Sequence, residues 1–229
     1  MDSLLSNFGV TTSEFLTPVL LSLQVASIAL IFSFVLGTLM ARFMTKVEFK
    51  GKVILETIMM LPIVLPPTVV GFILIVIFGN NSFVGDFIEW LFGSSIIFTW
   101  YAAVLASTVV AFPLMYQSAK TGFLSIDKDI EEAAKVDGAS DFRIFMKITM
   151  PLAAVSLITG AILSFARALG EFGATLMIAG NIPGRTQTLP TAIYVALQSG
   201  NMNLAWLWVI TIIGISFIML LFVRTKAKE

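Results

Sequence analysis

Five long apolar stretches restrict the fold of this chain more than any other feature of its sequence. They lie near residues 18–42, 53–78, 96–119, 152–179 and 204–223. Each has at least about 20 residues, the length that an α-helix needs to cross a bilayer core. Backbone amides within lipid must be paired inside their own segment, so such stretches fold as helices. The sequence therefore predicts an all-α, polytopic membrane helix bundle with about five transmembrane helices, forming a single domain over residues 1–229.

The basic residues alternate between the connections that join these stretches. The first connection holds four Lys or Arg and the third holds five, whereas segment 79–95 holds none. The fourth connection holds Arg185 alone, and the C-terminal tail holds three basic residues. Because cytoplasmic loops are enriched in Lys and Arg, we expect the N-terminus outside and the C-terminus in the cytoplasm. All four tryptophans would then lie at the outer interface, as in an aromatic belt.

The composition argues against chemistry on this chain. It contains no cysteine and no histidine, so a disulfide framework, a thiolate metal site and the commonest general base are all excluded. A phosphate-binding loop of the form G-x-x-x-x-G-K-[ST] is also missing. We therefore predict no catalytic residue, no metal and no cofactor. The missing loop also argues against ATP hydrolysis on this chain.

Charge is concentrated in the loop between the third and fourth stretches, residues 120–151. This loop carries 11 of the 28 charged side chains (14 basic and 14 acidic). Asp129 and Glu132 have the spacing of a capping box, which predicts the start of a short helix, and Gly138 predicts its left-handed end. Ser140 is placed to cap a second short helix. Considered alone, the pattern also fits a solvated loop that its charges hold out of the bilayer.

The spacing within this loop resembles the EAA loop of ABC importer permeases. Glu132-Ala133-Ala134 is followed by Gly138 after three residues and by Ile148 after nine more, and Met150-Pro151 closes the motif where the family has Leu-Pro. Exchange of Leu for Met is tolerant of shape. The resemblance implies the type I ABC importer permease fold, with this loop forming coupling helices that dock on a cytoplasmic ATPase. The residues it assigns to coupling are Asp129, Glu131, Glu132, Ala133, Ala134, Asp137 and Gly138.

Three prolines in the second stretch predict a broken helix. Pro62, Pro66 and Pro67 remove three amide donors within six residues. The carbonyls that lose their partners are tolerated at membrane depth only where they pack in protein or line a wet cavity. The break is consistent with a pivot or gate beside a translocation path, which makes Pro66 and Pro67 candidate path residues. A static kink is the alternative.

The fourth stretch is predicted to form a helix with one small, polar face. With Ser156 at zero, Ser164, Arg167 and Glu171 fall between about 20° and about 80° at about 100° per residue. Arg167 would lie near the middle of the bilayer, where an unpaired cation costs at least about 2.5 kcal/mol. Glu171, one turn on, is the expected partner. Either the pair clamps neighbouring helices, or this face, including Ser164, lines the path and Arg167 attracts an anion.

Smaller features predict how the rest of the chain packs. Segment 79–95 is expected to contain an interfacial amphipathic helix, and 191–198 a short helix that does not cross the membrane. The first stretch carries small residues every fourth position, which allow close helix packing either within the chain or against another subunit. These residues are Ala29, Ser33, Gly37 and Ala41.

Three further runs resemble the molybdate permeases of ABC transporters. They are Leu65 to Gly71, Ala166 to Thr175 and Gly180 to Thr188. The resemblance implies molybdate import across the cytoplasmic membrane by a homodimer of this subunit, with two cytoplasmic ATP-binding subunits and an extracytoplasmic oxyanion-binding protein. No nucleic acid is expected as a partner.

Other substrates and another class of transporter remain as alternatives. Tungstate is nearly equal to molybdate in size and charge. Sulfate permeases share the Gly170-Glu171-Phe172-Gly173 element but typically carry an additional N-terminal span. A stand-alone secondary transporter would normally show internal repeats or several ionisable groups inside the membrane. This sequence has one close ion pair and no repeat.

Overall fold

The computed structural model describes residues 11–226, in which helices are joined by short connections and no strand is present. Lys228, one of the tail residues counted above, lies outside this range. The helices are α1 (Thr12–Lys46), α2 (Lys52–Val64), α3 (Pro67–Phe78), α4 (Phe83–Phe92), α5 (Trp100–Leu124), α6 (Lys128–Val136), α7 (Asp141–Ile144), α8 (Met150–Leu152), α9 (Ala154–Leu169), α10 (Gly173–Ala179), α11 (Leu189–Gln198) and α12 (Met202–Lys226). A π-helix, Phe145–Thr149, joins α7 to α8.

Three of these helices, α1, α5 and α12, are long and apolar enough to cross a membrane. Two bent pairs pass the same test: α2 with α3, at 119°, and the segment Asp141–Leu152 with α9, at 75°. Counting each bent pair as one span gives up to five. The predicted all-α bundle of about five spans is thereby confirmed.

The centre of the bundle is formed by α1, α5 and α9. The small residues of α1 are buried against α5, and Ser33 Oγ donates a hydrogen bond of 3.2 Å to the Thr108 carbonyl. A Cβ added at Gly37 would lie 2.9 Å from Met115 Cγ, closer than real Cβ contacts allow. The small-residue stripe therefore serves packing within this chain.

The prediction of one continuous helix over 152–179 is wrong. α9 ends at Leu169, and the chain resumes as α10 only at Gly173. Glycine on both sides weakens helix propensity here. The Glu171 carboxylate instead accepts a hydrogen bond of 2.7 Å from the Ala174 amide, which satisfies an N-terminal donor of α10. The helical face calculated for residues beyond Leu169 therefore does not exist.

The break in the second stretch meets the break in the fourth. α2 ends at Val64 and α3 begins at Pro67, as the prolines predict. A Cβ added at Gly173 would lie 2.9 Å from Pro67 Cβ, and one added at Gly71 would lie 2.6 Å from Met177 Cβ. The half-helices α3 and α10 are therefore in near backbone contact, which only glycine at these two positions permits.

Two short helices complete the bundle. Ser82 caps α4 by accepting from the Gly85 amide at 2.9 Å, and the aromatic side chains of Phe83 and Trp90 are exposed, as expected for an interfacial helix. α11 begins at Leu189, two residues before the predicted start, because Pro190 fits the first turn. The Leu189 amide donates to Ser22 Oγ at 2.6 Å, which attaches α11 to α1.

Candidate coupling surface and translocation site

The charged loop folds into α6 and α7, although α6 begins with a different cap from the one predicted. Asp127 caps it by accepting from the Asp129 amide at 3.0 Å, so the prediction that Asp129 is the cap is wrong. Asp127 reaches the amide two residues on, and this moves the start of the helix towards the N-terminus. Gly138, with φ of +82°, provides the predicted left-handed end. Ser140 caps α7, as predicted.

One side of this loop is open to solvent. Apolar side chains are exposed there: Val136 is 88% and Phe142 is 74% exposed. Ala133 is exposed and Ala134 half-buried, so the backbone of α6 can be approached closely. We call the following exposed residues the docking face: Asp129, Glu132, Ala133, Val136, Asp137, Gly138 and Phe142.

Glu131 points the other way, into the protein. Its carboxylate accepts from Arg42 Nη1 at 2.7 Å and from Thr149 Oγ1 at 2.6 Å, and it pairs with Lys46. We call these four residues the Glu131 cluster. Burial raises the pKa of Glu131, but the hydrogen bonds from Arg42, Lys46 and Thr149 outweigh it and lower the pKa to about 2. The side chain is therefore ionised at neutral pH.

The ion pair predicted in the fourth stretch is present. Arg167 Nη1 lies 2.6 Å from Glu171 Oε2, and the two side chains are 30% and 0% exposed. Because Glu171 also accepts from the Ala174 amide, the pair closes the break between α9 and α10. Of the two side chains, only the Arg167 guanidinium is partly exposed, so the positive end of the pair lies at the surface of the chain.

Three small residues of α9 lie against α5: Ser156, Gly160 and Ser164. Ser164 is fully buried and its Oγ donates to the Ala111 carbonyl at 3.2 Å. A Cβ added at Gly160 would lie 2.6 Å from Ser118 Cβ. The residues near the two breaks that are not buried form a separate surface. We call it the break surface: Pro66, Pro67, Ala166, Arg167 and Gly170.

The structure also shows a polar contact that the sequence did not indicate. Glu56 on α2 accepts from Tyr116 Oη at 2.7 Å and pairs with Lys120. No residue of α2 is fully buried, and this polar contact attaches α2 to α5 beside the half-buried Leu55, Met59 and Met60. Tyr116 and Lys120 lie 60 and 64 residues after Glu56 in the chain, and no local spacing predicts contacts over such separations.

The structure is thus a helix bundle with two broken spans, an ion pair at one of the breaks and an exposed charged helix outside the apolar stretches. Comparison with known proteins specifies the class. The chain belongs to the family described as "Binding-protein-dependent transport system inner membrane component", whose model matches residues 33–226. Members of this family are membrane components of importers and not enzymes themselves.

Relatives at higher identity have names that refer to molybdenum. YvgM of Bacillus subtilis (strain 168), named as a candidate molybdenum transport system permease protein, is 66% identical over 95% of this chain and 96% of its own length. The molybdenum transport system permease protein ModB of Escherichia coli (strain K12) is 42% identical over 85% of this chain and 86% of its own. The sulfate transport system permease protein CysT of the same strain is 33% identical, covering 94% and 78%.

Solved structures support the fold independently. A bacterial ABC transporter that imports the acidic polysaccharide alginate superposes with a TM-score of 0.74 at 19% identity, covering 97% of this chain and 82% of that one. The MetNI methionine ABC transporter in an inward-facing conformation gives 0.70 at 18% identity, covering 94% and 95%. The expected importer permease fold is confirmed.

Proposed function

We propose that this chain is the permease subunit of an ABC importer that moves molybdate across the cytoplasmic membrane, while ATP is hydrolysed on a separate subunit. The substrate follows from the relatives named for molybdenum transport, one of which is 66% identical over nearly the whole chain. One structural observation carries the transport role: two broken spans meet at Pro67 and Gly173, two residues from the Arg167–Glu171 pair. Irregular backbone and charge at membrane depth belong beside a polar path.

The break surface is the proposed translocation site. Arg167 presents its partly exposed guanidinium to the path, while the buried Glu171 keeps the pair neutral overall. An oxyanion that passes meets the positive end of this pair beside the N-terminal end of α3, where Pro66 and Pro67 form the break. Ser164 contributes indirectly, since its bond to the Ala111 carbonyl fixes α9 on α5.

Three partners complete the proposed transporter. A second copy of this chain closes the path, consistent with the exposed apolar side chains of α2, where Ile54 is 67% and Val64 is 77% exposed. An ATP-binding subunit dimer binds the docking face, and an extracytoplasmic oxyanion-binding protein delivers substrate. The whole chain acts as one permease domain, with residues 120–151 as its coupling loop, its N-terminus outside and its C-terminus in the cytoplasm.

Uptake by the reconstituted complex tests this proposal. We expect ATP-dependent uptake of radiolabelled molybdate, competed strongly by tungstate and weakly by sulfate. Arg167→Ala should lower uptake per assembled complex at least about 10-fold, equivalent to about 1.4 kcal/mol, because it removes the positive charge that meets the anion. Arg185→Ala, at an exposed loop arginine, is the matched control. Equal uptake by both variants would contradict the role of Arg167. Robust uptake without the ATPase would indicate a secondary transporter.

A further inference from the structure

Glu131 joins three separate elements at the inner end of the bundle. It belongs to α6, while Arg42 and Lys46 lie in the last two turns of α1 and Thr149 ends the π-helix. Only 7% of Glu131 is exposed, whereas its neighbour Glu132 is exposed on the docking face. Glu132 therefore faces the proposed ATPase, and the adjacent Glu131 faces the bundle.

The local structure is built around this contact. Thr149 is fully buried, and the wide turn of the π-helix, a feature frequent at functional sites, leads up to it. The Arg42 guanidinium lies 5.5 Å from the centre of the Phe145 ring, so it is held by a cation–π contact as well as by the carboxylate. Two cations and a hydroxyl fix the position of one carboxylate.

We propose that Glu131 is a positioning residue that clamps α6 to the inner end of α1, so that movement of the docking face is transmitted into α1. This rests on the proposed function, because it assumes that an ATPase moves α6. Glu131 has this role through Arg42 and Lys46, without contact with the ATPase or the transported anion.

The path of transmission beyond the clamp is continuous. α1 is a single helix of 35 residues, about 52 Å at 1.5 Å per residue. It packs along α5 through Ser33 and Gly37, and near its outer end Ser22 holds the first amide of α11. A displacement at Arg42 therefore reaches the short helix α11 at the opposite end of the bundle without crossing a break.

The test uses the full complex with Glu131→Gln, which retains the size of the side chain and removes its charge. Glu48→Gln is the matched control, since Glu48 also pairs with a lysine but its side chain is 87% exposed. We expect the ATPase to co-purify with both variants. Glu131→Gln should raise the ATP hydrolysed per molybdate imported by about 5-fold or more, and the control should leave this ratio unchanged. A clamp that served stability alone would not change the ratio.

A distance measurement separates this inference from the proposed function. The chain has no cysteine, so spin labels at Lys50→Cys and Lys128→Cys report the distance from α6 to the loop that follows α1. We expect a narrow distance distribution in the labelled wild-type background and a broad one with Glu131→Gln, or a moderately broad one with Glu131→Asp if the first variant does not fold. A narrow distribution and an unchanged ratio in these variants would overturn the clamp. Absence of wild-type molybdate uptake would instead contradict the proposed function, and the distance measurement would still test the clamp.

Discussion

Two buried glutamates hold this chain together in different ways. Glu131, outside the apolar region, binds partners on α1 and on the π-helix. Glu171, at the break that follows α9, binds Arg167 one turn before it and the Ala174 amide three residues after it. The first joins elements that are distant in the chain, whereas the second stabilises a break within one segment.

The charge balance of the two sites follows the same division. The Glu131 cluster contains two cations and one acid, a formal sum of +1, near water that can screen the excess. The Glu171 site contains one cation and one acid, a formal sum of zero, where an uncompensated charge would be expensive. Glu131 thus balances its charge against two cations, and Glu171 against one.

The largest effect should come from breaking the fully buried Glu171 site. Glu171→Leu removes both the partner of Arg167 and the acceptor of the Ala174 amide, which we expect to cost about 3 kcal/mol of stability. The double variant Arg167→Leu with Glu171→Leu should recover part of this loss, since no charge is left alone. Thermal unfolding of the purified complex measures both. A double variant that is less stable than Glu171→Leu would show that the charge balance is not the cause.

A smaller effect should come from removing one bond of the Glu131 cluster. Thr149→Val preserves shape and removes the hydroxyl, so we expect a loss of about 1 kcal/mol in the same unfolding measurement, because Arg42 and Lys46 remain. Thr159→Val is the control, since that hydroxyl bonds to the Val155 carbonyl of its own helix. A loss with Thr149→Val as large as that with Glu171→Leu would contradict the difference drawn between the two sites.

The smallest effect should come from pH. Because the pKa of Glu131 is lowered to about 2 in the folded protein from 4.5, its contribution to stability is complete above pH 4.5 and is lost as the pH falls through about 2. The distance between labels at positions 50 and 128 should therefore not change from neutral pH down to about pH 5. Broadening within that range would show that the cluster binds Glu131 more weakly than its contacts indicate.

The fold was predictable because its main signals are local. Apolar length indicates the spans, the prolines at 66 and 67 end α2, and Gly138 ends α6 with a positive φ. The Arg167–Glu171 pair was also predictable, because one helical turn separates its members. Each of these depends on residues close together in the chain.

The errors arose where distant or competing contacts decide the structure. At the break after Leu169, Gly173 packs against Pro67, and a helical wheel contains no information on this contact. Spacing likewise did not show that Glu131 faces inward, since Arg42 lies 89 residues earlier in the chain. The capping-box spacing of Asp129 and Glu132 predicts Asp129 as the cap of α6, whereas Asp127 accepts the bond from the Asp129 amide.

The near backbone contact of α3 with α10 has a mechanical consequence. Gly71 and Gly173 leave no space for a side chain between the two half-helices, so neither can slide or tilt without displacing the other. The break between α2 and α3 and the break between α9 and α10, about a hundred residues apart in the chain, are thus expected to move together. On the proposed path, the two breaks would therefore form one gate, and not two gates in series.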